Sequence, residues 1–429
     1  MESELAQFIQ TSPLCDTHEH LFSEDMYVND GPDILGSLFF SYVSADLVVA
    51  GASEEAIETL WDKSNPDIAG RFERIRPQWE AVKHTGYGEA VRILARELYG
   101  IEEITAVSLT EAQPKHQAML KPGERLRLLR DVANLDHVQI NAFEIPTLPN
   151  PEAPDFFFYD IGWHRPCIGK PDLVALAQDT GIEARDLASL KQALETSFAK
   201  QAKYAIAIKS QHAYDRTLAW RPRTDKEAAQ ALAAYLQNPN DYSEADQLCL
   251  GDWCWALGVE LGIEHDLPFK IHTGYYAGHS RMPVDYIRSG HLTPLLARYL
   301  DARFVLMHIA YPYSSELLAL AKHYPNVYAD LCWAWSINPL ETAVFVRRFI
   351  HSVPANKLFI FGGDTFWPGN AVAYAHQARI GLNRTLQAEV DDGLLSEAEA
   401  IRLARRFMMD NQYACFNVAA KREVTKHDK

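Results

Sequence analysis

The strongest chemical signal in the chain is the run Asp16-Thr17-His18-Glu19-His20, which ends a short apolar segment. Side chains alternate along a strand, so His18 and His20 project to the same side. Two imidazoles converging from one rigid strand make half of a first-row metal site, with nitrogens expected ~2.0–2.1 Å from zinc. Alone, the pair reads equally well as ordinary histidines near a turn. Other segments end in a matching way: His272 ends "PFKIHTG", His308 ends "FVLMHIA" and Asp364 ends "LFIFGGD". Either histidine alone would read as a satisfied core residue. Four segments that each end in a metal-ligating residue type are hard to explain by packing, because burying such groups without partners is costly.

Asp364 has a second use. A carboxylate that touches both a metal and a water can take that water's proton, once the metal has lowered the water's pKa towards ~7. Its bland alternative is a helix N-cap, since "GGDTFWPGN" follows an apolar segment. Substrate contacts are expected from Tyr214 and Arg216 in "IKSQHAYDR", from His164 and Arg165 in "GWHRP", and from Tyr275, His279 and Arg281 in "YYAGHSRMP". Arginine forks match the two oxygens of a carboxylate. Each of these also reads as a surface arginine or loop histidine. The glycines of "GGD" and "HTGYYAG" match neither phosphate-cradling pattern.

The elements that would hold these groups are short apolar strands alternating with amphipathic helices. Strands are expected at 13–21, 137–145, 204–210, 268–274, 303–310, 326–333 and 357–364, with a further one around 104–109. Near-continuous apolar runs suit a parallel sheet covered on both faces. Repeated strand–helix units of this length predict a parallel α/β sheet, here a distorted (β/α)₈ barrel in one domain spanning 1–429. Residues 24–130 are mostly helical in pattern and are expected as an insertion over the barrel mouth. The aromatic tract 153–166 reads as a pocket-lining loop. The helical pattern "SEAEAIRLARRFMMDNQYACFNV" is expected to close the barrel, and "KREVTKHDK" reads as a frayed tail.

Composition narrows the function. With 41 basic against 57 acidic residues and a formal charge of −16, the chain lacks the basic stripe a nucleic-acid surface needs. No apolar run reaches membrane-spanning length, and the amino-terminal segment lacks a secretory pattern. The six cysteines form no CxxC pair and read as small buried hydrophobes in a reducing compartment. A cytoplasmic protein with a small-molecule substrate is the expectation, without nucleic-acid or membrane partners and compatible with homo-oligomers.

The D-x-H-x-H start, the "KIHTG" and "LMHIAYPY" ends, "NVYADLCW" and the final "FGGD" resemble the amidohydrolase superfamily. The likeness is greatest to its amidohydrolase-related branch, which also contains decarboxylases, and the pattern of strand ends resembles the uronate isomerases. It runs from residue 13 to about 417 but is specific only at strand ends; 24–130 matches nothing nameable. The resemblance implies that His18, His20, His272 and Asp364 ligate a divalent metal, with zinc expected. It also implies that His308 orients water or substrate, or binds a second metal. Lys209 ends "AIAIK", where some members carry a carbamylated lysine bridging two ions and others have no bridging ligand. It could equally snorkel to solvent or pair with a substrate carboxylate. One ion is the leading version, two if Lys209 is carbamylated.

The expected activity is metal-dependent hydrolysis of a C–N or C–O bond in a small, carboxylated substrate. Asp364 would move the proton, while His308 and Lys209 stabilise developing negative charge. The rivals are isomerisation or decarboxylation on the same ligands, and a silent barrel that binds a metabolite.

Overall fold

The computed structural model describes residues 3–142, 150–239 and 241–427. Eight parallel strands run in sequence order β1 to β8: β1 Leu14–Glu19, β2 Leu135–Ile140, β3 Phe157–Gly162, β4 Ala205–Ser210, β5 Phe269–Ile271, β6 Phe304–Leu306, β7 Val327–Asp330 and β8 Leu358–Phe359. The residues after β8 turn back onto β1 and close the barrel. The Thr17 amide donates to the Phe361 carbonyl at 3.1 Å, the Asp364 amide to His18 at 2.9 Å and the His20 amide to Thr365 at 2.9 Å. Helices cover the outside, which is why the strands are apolar on both faces and buried almost throughout. The fold is therefore the expected (β/α)₈ barrel with a helical insertion after the first strand.

Several boundaries differ from the sequence reading. The segment around 104–109 is not a strand. Thr105 and Ser108 form a reciprocal capping box that starts the helix Ala106–Gln117. The second strand is instead the one at 135–140, and the part of the expected 137–145 strand beyond residue 142 lies outside the described residues. The tract read as a pocket-lining loop contains β3, whose main chain pairs with both β2 and β4. The expected frayed tail is helical over Val418–His427. Arg422 ties this helix to the start of β2 through Asp136 at 2.8 Å and to the Asp155 carbonyl at 3.0 Å. Beside it, Phe416 and Val418 pack with Phe158, Ile206, Val305 and Phe359.

The insertion folds back on the barrel and shares one continuous apolar core with it. Its own centre is Leu38, Phe39, Leu60, Phe72 and Trp79, all essentially without solvent contact. Buried Arg71 locks the segment together, pairing with Asp33 and donating to the carbonyls of Thr59, Leu60 and Asn65. The helix Gly86–Leu94 lies against the helices Ala334–Ile337 and Pro368–Asp391. A Cβ at Gly86 would sit 2.1 Å from the Ser336 carbonyl oxygen, so only glycine allows this approach. The insertion thereby brings Tyr42 to the barrel mouth, where its hydroxyl donates to the Asp364 carbonyl.

Candidate metal centre

Alternation along β1 puts the His18 and His20 rings 4.7 Å apart on one side. Glu19 goes the other way, accepting from the Thr365 amide and hydroxyl, and so fixes the loop that carries Asp364. A Cβ at Gly363 would stand 1.9 Å from Glu19 Oε1, which accounts for glycine before Asp364. Asp364 itself adopts a left-handed backbone, φ 59°. Its Oδ1 lies 3.3 Å from both His18 Nε2 and His20 Nε2, and its Oδ2 lies 3.8 Å from His308 Nε2. The N-cap alternative falls away, because the following helix starts at Pro368 with Trp367 in the cap position.

His308 follows β6 in a left-handed turn: His308, Ile309 and Ala310 have φ 62°, 47° and 51°. Such conformations cost ~1–3 kcal/mol each for residues with side chains and cluster at functional sites. The turn passes over Gly274, where a Cβ would meet the Tyr311 amide at 2.7 Å. His272 stands outside the compact His18/His20/Asp364 cluster, but its ring centroid is 4.4 Å from that of His308.

Three imidazoles are oriented by backbone carbonyls. His20 Nδ1 donates to Asn141 at 2.9 Å, His308 Nδ1 to Cys332 at 2.9 Å, and His272 Nε2 to Tyr275 at 3.0 Å. A carbonyl can only accept, so each of these nitrogens carries a proton, and in His272 and His308, which burial keeps neutral, the opposite nitrogen carries a lone pair. For His308 that lone pair is on the nitrogen nearest Asp364, and the corresponding His20 nitrogen also faces Asp364. His308 Nε2 and both His18 nitrogens are buried without hydrogen-bond partners among the described residues. Burial holds His18, His272 and His308 below the ordinary imidazole range, His308 at about 3. Burial works against ionisation of Asp364, and its carboxyl is held well below the usual range where the facing His18 and His20 nitrogens carry protons, a place a divalent cation takes when both present lone pairs. Imidazole nitrogens gathered around a buried carboxylate form a donor set that fits a divalent cation.

The centre opens into a cavity of about 350 Å³ lined by His20, Tyr42, His164, Lys209, Gln211, Tyr214, Asp215, His272, Arg281, Asp364 and Phe366 among others. Lys209 is fully enclosed at the end of β4, with Gln211 Oε1 3.4 Å away, and burial lowers its ammonium to about 8. Tyr214 packs 4.7 Å from the His272 ring, and the Arg281 guanidinium lies over Tyr214 at 5.9 Å. Tyr275 lines an adjoining cavity that shares Tyr42 and Arg281 with the first.

Two expected substrate arginines are placed elsewhere. Arg216 is buried against Asp252 at 2.6 Å and donates to the carbonyls of Cys167, Thr217 and Ala219. Those donors are committed to anchoring the helix Glu244–Glu264. Arg165 is exposed outside both cavities, and its neighbour His164 faces the site instead, 3.1 Å from Asp215. Sequence reasoning missed the Lys270–Asp160 pair beneath the centre, fully buried at 2.8 Å, with Asp160 3.9 Å from His18 Nδ1. A lysine inside the strand "FKI" was the available signal. Tyr42 gave none, because only the packing of the insertion brings it here.

Structural comparison finds the same architecture in a uronate isomerase from Thermotoga maritima, with a TM-score of 0.81, 15% identity and 96% of each chain covered. A glucuronate isomerase from Caulobacter crescentus aligns with a TM-score of 0.78 and 15% identity, over 96% of this chain and 93% of that one. A protein provisionally named a metal-dependent hydrolase from Lactobacillus casei aligns at 0.66 and 16% identity, over 98% and 99% of the two chains. Among characterised sequences, the protein FluG of Emericella nidulans is 24% identical over 221 residues, which is 48% of this chain but only 25% of that protein. The sequence model of the amidohydrolase family matches residues 187–404, more than half of the chain and the stretch that supplies Lys209, His272, His308 and Asp364. The chain belongs to the amidohydrolase family, whose superfamily consists of metal-dependent enzymes.

Proposed function

We propose that the protein is a metal-dependent hydrolase acting on a C–N or C–O bond of a small, carboxylated molecule. The observation that carries this reading is that the carbonyl-anchored imidazoles of His20 and His308 turn their Nε2 atoms towards the Asp364 carboxylate, which lines a cavity. In it, His18, His20, His272 and Asp364 would hold one divalent ion, with zinc suited to nitrogen and carboxylate donors. When bound, such an ion supplies Lewis-acid polarisation and makes a nearby water acidic enough to react near neutral pH.

The two oxygens of Asp364 divide the remaining work. Oδ1 faces His18 and His20, while Oδ2 faces His308 and accepts the proton of the attacking water. The same carboxyl then delivers that proton to the leaving nitrogen or oxygen. Neutral His308 orients the water from its Nε2. Lys209, enclosed beside the centre, stabilises negative charge developing on the attacked carbonyl oxygen, an interaction strengthened by burial. Arg281, with His164, receives the substrate carboxylate at the cavity wall.

The test is turnover in ¹⁸O-labelled water with amides, lactones and uronates that carry a carboxylate. Hydrolysis places one labelled oxygen in the product. Turnover without label would identify an isomerase or decarboxylase and overturn the proposal.

A further inference from the structure

Beside the catalytic cavity lies a second one, also of about 350 Å³, which shares Tyr42 and Arg281 with it. Its wall is aromatic. Tyr42, Tyr87 and Tyr275 gather around Trp333, with ring centroids 4.2, 6.0 and 6.2 Å from the indole. Asp46, on the helix Val43–Val49 of the insertion, adds a carboxylate to the same lining.

Asp46 has no lysine, arginine or histidine within ion-pair distance among the described residues. Thr85 gives it a hydrogen bond, and the neighbouring groups that feel its charge are the tyrosines Tyr87, Tyr275 and Tyr374. The Tyr87 hydroxyl is buried in the same wall and, among the described residues, has no hydrogen-bond partner. The cations near this cavity do not answer Asp46. Arg281 is turned over Tyr214 on the catalytic side, and His279 meets Ser280 at 3.1 Å. The electron-rich faces of tyrosine attract ammonium groups, and a half-buried carboxylate adds a charge-assisted bond to the same ligand.

We infer that this cavity is a subsite for a cationic amine, held between Asp46 and the Tyr42–Tyr87–Tyr275 wall. The substrate would then carry a primary or methylated ammonium on one arm and a carboxylate on the other, with the reacting bond between them. The assignment of the reacting bond rests on the hydrolase reading above; the amine subsite itself does not require it. Burial raises the Asp46 carboxyl above its ordinary range, as expected of a half-buried acid lacking a cation.

The probes are butylammonium, butan-1-ol and butyrate, titrated by calorimetry into the metal-loaded full chain. Butylammonium should bind about tenfold or more tightly than butanol. Asp46→Asn should abolish that preference, and Tyr87→Phe should reduce it, with metal content unchanged in both. Butyrate, whose carboxylate Arg281 and His164 are placed to receive, reports the catalytic cavity instead. Butylammonium binding no more tightly than butan-1-ol would overturn the inference. An undiminished preference in Asp46→Asn would also overturn it. Elemental analysis of the same samples keeps the two proposals apart: amine binding by a chain that takes up no metal would sink the hydrolase reading and leave this subsite standing.

Discussion

Replacing Asp364 by Asn separates the duties that the geometry assigns to one side chain. The carboxylate is buried, with Oδ1 3.3 Å from two imidazole nitrogens and Oδ2 3.8 Å from a third. An amide of the same shape can keep its oxygen towards His18 and His20. Its NH₂ then faces His308 Nε2, a lone pair without a hydrogen-bond partner among the described residues. The fold should therefore tolerate the change, with a melting temperature close to that of the parent. The lone pairs of Oδ2 are lost, and with them the proton acceptor. Loss of general acid–base catalysis is worth ~10²–10⁴ in rate, or about 2.7–5.5 kcal/mol of transition-state stabilisation. The assay is turnover at saturating metal, with metal content and thermal unfolding measured on the same sample. Full activity in the metal-loaded variant would refute the proton-transfer role. Activity that falls with metal content and returns in excess metal would reduce Asp364 to a ligand alone.

Gly363→Ala should destabilise the protein by ~1–3 kcal/mol and weaken metal binding, because the new methyl meets Glu19 Oε1 beside Asp364; an unchanged melting curve and metal affinity would contradict this. Asp136 is held below the ordinary carboxylate range, despite burial, by His137 and Arg422. Because its folded pKa is depressed, its stabilisation is complete above the unfolded value of ~3.9 and is lost as pH falls towards the folded value. Asp136→Asn should cost ~1–3 kcal/mol at neutral pH and flatten the loss of stability below about pH 4; denaturant titrations with the same acid slope in both proteins would reject the assignment. Residues 24–130 share the barrel's core, so limited proteolysis should not release them as an independently folded fragment, and recovery of such a fragment would make them a domain.

The barrel was legible because its strands are short, apolar and regularly separated by helices, a pattern enforced by burial on both faces. The candidate residues were picked out where chemistry coincides with strand ends: His18, His20, His272, His308 and Lys209 lie at or just past them, while Asp364 stands five residues beyond β8 on the loop that closes the barrel. β3 was hidden by the aromatic run "FFFY", whose residues suit a pocket and a strand equally well. Around 104–109, where a strand was expected, the β-branched Ile104, Thr105 and Val107 are compatible with one, but the Thr105/Ser108 capping box decides for a helix. Arg216 and Arg165 have the right chemistry for a carboxylate, but side-chain direction is set by partners far away in sequence, such as Asp252. The carbonyls that orient His20, His272 and His308 leave no trace in residue type. Tyr42 and Asp46 reach the mouth only because the whole insertion packs on the barrel.

The central claim is that His18, His20, His272 and Asp364 form one divalent-metal centre. Anomalous diffraction from crystals of the metal-loaded protein tests it most directly. The account predicts a single peak per chain, bonded at ~2.0–2.2 Å to His18, His20, His272 and an Asp364 oxygen. No peak among these residues, or a single ion bound only at the remote Cys15/Asp136/His137 cluster, would contradict it. Two ions bridged by a carbamylated Lys209 would contradict the single-ion version.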